Sequence, residues 1–168
     1  MVIVVMGVSG SGKTSVGQAL AVALGADFQE GDELHPAANI AKLRAGIPLD
    51  DVDRAPWLAR LAGWIAAEQH TGRAGVVSCS ALKRAYRQQL REAAEGLRFV
   101  YLRVPREVLH ERVSRRRHFM SASLLDSQLE TLEEPRGEPD TLTVDGTHAI
   151  DRLVADVRHW LASGTTAT

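Results

Sequence analysis

Cys79 is the single cysteine among 168 residues. An intrachain disulfide is therefore excluded, and a reducing, cytoplasmic setting is expected. Neither sign of charge is in excess: 20 Lys and Arg stand against 21 Asp and Glu, a formal net charge of −1. That balance gives no global attraction to nucleic acid or to a membrane surface. Aromatic residues make up 5% of the chain, and they form no stripe with basic residues of the kind that nucleic-acid binders use. No apolar run approaches the roughly 20 residues of a membrane span. The apolar start is not a cleavable signal either, because it runs straight into a glycine loop. Repeats are absent, and low complexity is confined to the tail 163–168, which is expected to fray. The remainder, 45% hydrophobic and 24% charged, suits one globular domain over 1–168 and is too short for two ordinary ones.

What the chain does have is the loop Gly7-Val8-Ser9-Gly10-Ser11-Gly12-Lys13-Thr14, directly behind the apolar run Val2 to Met6 and ahead of a segment with helical periodicity. This is G-x-x-x-x-G-K-[ST] in its strand–loop–helix context. The glycines let backbone N–H groups turn inward, making an anion nest at the positive end of a helix. Lys13 is placed to reach the β- and γ-phosphates of ATP and the Thr14 hydroxyl to bind Mg²⁺, with Ser15 completing the nucleotide-binding stretch.

Further along, apolar strand-like runs alternate with helical patterns. Strands are expected near Phe28, at Gly75–Cys79, at Phe99–Leu102 and at Thr141–Val144. Helices are expected over Pro36–Ala45, Asp53–His70, Lys83–Glu95, Pro105–Arg116, Ser123–Leu132 and from Ile150. The alternation predicts an α/β fold, a parallel sheet of about five strands with helices on both faces and a mobile lid over roughly 115–125. Ligands in such sheets sit beyond the carboxyl ends of the strands.

The end of the second strand offers Glu30 and Asp32. A phosphoryl acceptor alcohol needs a carboxylate to orient it and take its proton, and Mg²⁺ must be held. Asp32 is assigned as the base and Glu30 as a Mg²⁺ ligand through water, on the expectation that i and i+2 of an extended strand end face one side. The third strand ends in Ser78-Cys79-Ser80 and lacks the aspartate by which many motor and switch ATPases hold Mg²⁺. Ser80 is either a substrate hydrogen-bonding group or a helix cap. The basic run Arg115 to His118 falls where a lid would close over ATP. Arginines arriving from such a lid stabilise charge on the transferred phosphate, and the residues alone leave open which of Arg115, Arg116 and Arg117 does so. His118 has no partner at metal-ligand spacing and is counted with the acceptor-side residues.

At this point the chain resembles the gluconokinases of the small phosphate-loop type. The matching pieces, in order, are Gly7 to Thr14; Gly31-Asp32-Glu33-Leu34-His35-Pro36; Asn39-Ile40-Ala41-Lys42; Pro48 to Leu58; Cys79-Ser80-Ala81-Leu82-Lys83-Arg84-Ala85-Tyr86-Arg87; His118-Phe119-Met120; and Gln128 to Glu133. In the lid piece Arg117 stands where the family often has glycine and Ser121 where proline is common; beside the resemblance, Arg116 is preferred as the arginine on the transferred phosphate, with Arg112 a weaker candidate near the adenine. The resemblance implies transfer of the ATP γ-phosphate to the 6-hydroxyl of D-gluconate, a fold like that of shikimate and nucleoside monophosphate kinases, and a homodimer. Gluconate carries a carboxylate, so its site needs cations; His35, Lys42, Arg54, Lys83 and Arg87 are the candidates, Arg54 and Lys83 foremost. The alternatives are a kinase for another small acceptor, such as shikimate or a nucleoside monophosphate, and a nucleotide-sensing module with no soluble acceptor.

Overall fold

The computed structural model describes residues 1–115 and 122–164. Arg116, Arg117, His118, Phe119, Met120 and Ser121 lie outside the described residues, and with them the lid assignments of Arg116 and His118.

Strand β1, Val2–Met6, is buried along its whole length. Its side chains alternate between two cores: Val2, Val4 and Met6 enter one, Ile3 and Val5 the other. That is why the run is continuously apolar rather than alternating, as expected of a central parallel strand. Strands β2 (Asp27–Glu30), β3 (Gly75–Cys79), β4 (Arg98–Arg103) and β5 (Thr141–Asp145) complete one five-stranded sheet in the order β2-β3-β1-β4-β5. Every pairing is parallel.

Two helices, α3 (Asp51–Thr71) and α4 (Arg84–Arg91), cover the first face through Trp57, Leu58, Leu61, Ile65, Tyr86 and Leu90. The opposite face is covered by α1 (Lys13–Leu24) and α7 (Ile150–Ser163) through Val16, Leu20, Leu153 and Val157. The remaining helices are α2 (Ala37–Arg44), α5 (Arg106–Arg115) and α6 (Ala122–Thr131). A third, smaller core joins Val8 of the glycine loop to Leu109 and Val113 of α5 and Leu125 of α6.

Helix boundaries differ from the sequence expectation by a few residues. Helix α4 ends at Arg91 rather than Glu95, and α3 begins two residues earlier because Asp50 and Asp53 form a capping box. A 3-10 turn over Gly31–Leu34, with no counterpart in the periodicity, follows β2 directly. Because β1 is central and its neighbours β3 and β4 lie on opposite sides, the loop after β1 opens where the winding direction of the sheet reverses. That is the place where ligands enter open α/β sheets.

Candidate active site

The glycine loop folds as a nest. Gly7, Gly10 and Gly12 all take positive φ, at 151°, 81° and 96°, a region open to glycine without a Cβ penalty. Helix α1 starts at the next residue, so its unpaired N–H groups and dipole face the same space. The Lys13 ammonium donates to the Val8 carbonyl at 3.0 Å, which holds the side chain over the loop mouth. Residues Ser9, Gly10, Gly12, Lys13, Thr14 and Ser15 line one end of a cleft of about 630 Å³. Gly7, Val8 and Ser11 are buried beneath it.

Another wall of the cleft is built by the turn after β2. Gly31 packs so closely on β3 that a Cβ there would lie 2.0 Å from the Ser78 carbonyl oxygen. Its N–H donates to Ser78 Oγ at 3.1 Å, and its carbonyl accepts from Trp57 Nε1 at 2.8 Å. Pinned on both sides, the turn delivers Asp32 to the cleft wall. The convergence of Glu30 and Asp32 thus comes from a 3-10 turn rather than from two positions of one extended strand. Asp32 opens onto the cleft, yet protein atoms crowd the wall around it and raise its carboxyl pKa. Lys13 pulls the other way, and the Glu30 carboxylate adds a smaller upward push.

Glu30 accepts from Thr14 Oγ1 at 2.5 Å and, on its other oxygen, from the Ser78 hydroxyl. Hydroxyl and carboxylate oxygens side by side at the phosphate end suit a hard divalent cation that keeps most of its water. Among the described residues there is no group of three or more His, Cys, Asp or Glu that could enclose a metal.

Arg54 and His35 line the acceptor end. Arg54 is buried, has no carboxylate within ion-pair distance among the described residues, and lies over the Tyr86 ring at 5.8 Å. His35 stacks on Trp57 with ring centroids 4.4 Å apart. Its Nδ1 lies 3.1 Å from Asn39 Nδ2, which also donates to the Asp53 carbonyl. The amide is therefore the donor, and the ring is read as the tautomer with hydrogen on Nε2. Burial, helped by the Arg54 charge, pushes the His35 pKa down to about 4. A histidine depressed in the folded state binds fewer protons than the unfolded chain, so its contribution to stability is intact above pH 6.5 and is lost as pH falls toward 4. Acidification from pH 7 to pH 5 should cost about 2 kcal/mol through this group. Melting curves of wild type and His35→Asn across that range test it, the variant being expected to show the flatter dependence; parallel curves would remove His35 as the cause.

The other cations fall elsewhere. Lys42 pairs with Asp53 at 2.7 Å and Lys83 with Asp51 at 2.8 Å, so both lysines tie their segments to the first turn of α3 and neither lines the cleft. The placement of Arg87 with the substrate is corrected by the structure. Its side chain is wholly buried, and its donors are taken by Glu138 and by the carbonyls of Ala81, Leu82 and Glu133. Arg112 donates to the Gly10 and Gly146 carbonyls at 3.2 and 3.0 Å, fastening the phosphate loop to the turn after β5. Ser80 lines the cleft and does not cap α4, whose N-cap is Lys83.

Arg44 and Gln128 line the same cleft and were given no role by the sequence. Arg44 ends a short polar helix and carries no local signal. Gln128 did carry one, since it lies three and four residues beyond the buried Leu125 and Leu124 and is a polar residue on the buried face of α6.

A family model described as an AAA domain matches residues 2–135. A gluconokinase of Gluconobacter oxydans is 48% identical over 95% of this chain and 91% of its own length. The thermoresistant gluconokinase of Escherichia coli is 42% identical over 96% of this chain and 93% of its own. The crystal structure of a gluconokinase from Sinorhizobium meliloti superposes with a TM-score of 0.87 at 53% identity, covering 96% of this chain and 91% of that one. A glycine loop facing a carboxylate and a buried arginine across one cleft is thus found in a chain that matches these enzymes almost end to end, and the protein belongs to the gluconokinase family of phosphate-loop kinases.

Proposed function

We propose that the chain phosphorylates D-gluconate at its 6-hydroxyl with ATP, giving 6-phospho-D-gluconate and ADP. The observation that supports this reading is that Asp32 lines the same cleft as Lys13, whose charge acts on it, and Arg54. The separation of roles follows from charge. The loop N–H groups and Lys13 receive the β- and γ-phosphates. Arg54, buried and without a carboxylate partner among the described residues, suits the gluconate carboxylate, and the neutral His35 offers a ring N–H to a sugar hydroxyl. Asp32 accepts the proton of the 6-hydroxyl as that oxygen bonds to the γ-phosphorus. The bond from phosphorus to the β–γ bridging oxygen breaks, and ADP leaves with the electron pair. Thr14, and Glu30 through water, would hold Mg²⁺, which when bound neutralises charge developing on the phosphoryl oxygens. Arg116 on the transferred phosphate belongs to the same proposal and is tested by its own substitution.

ADP release with Mg-ATP against gluconate, shikimate, AMP, CMP and water tests the reading. Stimulation by gluconate alone, with one phosphate added to it, is the expected outcome; turnover on another acceptor, or on water only, would sink the substrate assignment. The gluconokinase relatives do not favour shikimate or a nucleoside monophosphate as acceptor. Lys13→Ala is expected to weaken nucleotide binding and abolish transfer, and normal turnover in that variant would remove the loop from the mechanism. A cytoplasmic homodimer is part of the proposal, supported by the lone cysteine and the family; light scattering on the purified chain decides the assembly.

A further inference from the structure

The geometry points to Gln128 as a residue that touches the γ-phosphate of bound ATP. Its Oε1 accepts a hydrogen bond from the Ser9 N–H at 2.7 Å, across 119 residues of sequence. Ser9 follows Val8, whose carbonyl carries the Lys13 ammonium, so this N–H belongs to the end of the nest where Lys13 meets the outer phosphates. Helix α6 is seated there by packing, because Leu125 shares a buried cluster with Val8. The carboxamide is therefore delivered to the cleft by a helix fixed directly on the phosphate loop. With Oε1 on Ser9, the Nε2 hydrogens have no protein acceptor among the described residues, and Gln128 lines the cleft that holds Asp32. An amide anchored through its oxygen presents two N–H donors, the pattern that a phosphoryl oxygen accepts. Glutamate in the same place would keep the acceptor for Ser9 but present negative charge to the phosphate.

This inference depends on the chain being an ATP-using kinase, but not on gluconate being the acceptor. Its test accordingly includes a measurement made without acceptor. ATP and ADP affinities by calorimetry, kcat on the best acceptor and melting temperature are measured for Gln128→Leu and Gln128→Glu. Gln128→Leu is expected to lose about 10- to 100-fold in kcat with ADP affinity within a few fold of wild type, the range for one hydrogen bond to a charged group. Gln128→Glu is expected to melt near wild type, because the Ser9 contact persists, while its affinity for ATP relative to ADP falls at least about ten-fold. Two results would each overturn the assignment. One is a Gln128→Glu enzyme with wild-type kcat and ATP-to-ADP selectivity, which would make the side chain a dock for α6 alone. The other is unchanged kcat in Gln128→Leu. If gluconate fails as acceptor while the ATP-to-ADP selectivity of Gln128→Glu still falls, the substrate assignment is lost and the role of Gln128 stands.

Discussion

Replacing Asp32 by asparagine is expected to lower kcat by about 10²- to 10⁴-fold while leaving ATP affinity within a few fold of normal. Asparagine keeps the shape and can still orient a hydroxyl, but it cannot take the proton released as the acceptor oxygen bonds to phosphorus. Nucleotide binding should hold, because the nest and Lys13 are untouched; removing a carboxylate beside Lys13 should if anything strengthen the pull on phosphate. The pH profile separates proton acceptance from simple orientation. A base must be unprotonated, and crowding raises the Asp32 pKa, so the acid limb of kcat/KM should lie above that of an ordinary aspartate. That limb should vanish in Asp32→Asn. Turnover near wild type, or an acid limb unchanged by the substitution, would take Asp32 out of the role.

The largest expected loss of stability comes from a residue first read as part of the substrate site. Arg87→Leu leaves Glu138, itself 5% exposed, buried with Arg91 as its remaining charged partner among the described residues. Deleting one member of a buried pair costs about 3–5 kcal/mol where the charge is left uncompensated; with Arg91 still on Glu138 the loss is expected at the lower end, about 3 kcal/mol. For a chain of this length that corresponds to roughly 6–12 °C in melting temperature. The carbonyls released also matter. Arg87 braces Ala81, a non-glycine residue with φ of 43°, and Ala81 directly follows Ser80 in the cleft wall. Combining Arg87→Leu with Glu138→Gln should recover part of the loss, because the stranded charge is then absent. Equal melting of wild type and Arg87→Leu would show that the pair is dispensable. Burial by itself would raise the Glu138 carboxyl, but hydrogen bonds from Arg87 and Arg91 outweigh it and hold the pKa below 4.5. The contribution of the pair is therefore present above that value and lost as pH falls below it.

The sequence by itself determined the features that depend on neighbours along the chain. A continuously apolar run followed by Gly7 to Thr14 and a helical period is enough to place β1, the anion nest and α1. Strands alternating with helices are enough to require a parallel sheet covered on both faces, since parallel strands need crossovers. The order of the family pieces from Gly7 to Glu133 was likewise readable without coordinates. What the tertiary structure decided was which of several similar charges face the cleft. Lys42, Arg54, Lys83 and Arg87 look alike in a sequence; Asp53, Asp51 and Glu138 claim three of them, and Arg54 lines the cleft with no carboxylate partner among the described residues. Likewise the 3-10 turn that aims Asp32 exists because Gly31 packs against Ser78, and Gln128 reaches Ser9 because Leu125 packs near Val8. The physical reason is one of range. Periodicity and turn chemistry act over a few residues, whereas ion-pair partners and cleft walls are chosen by packing between segments far apart in the chain.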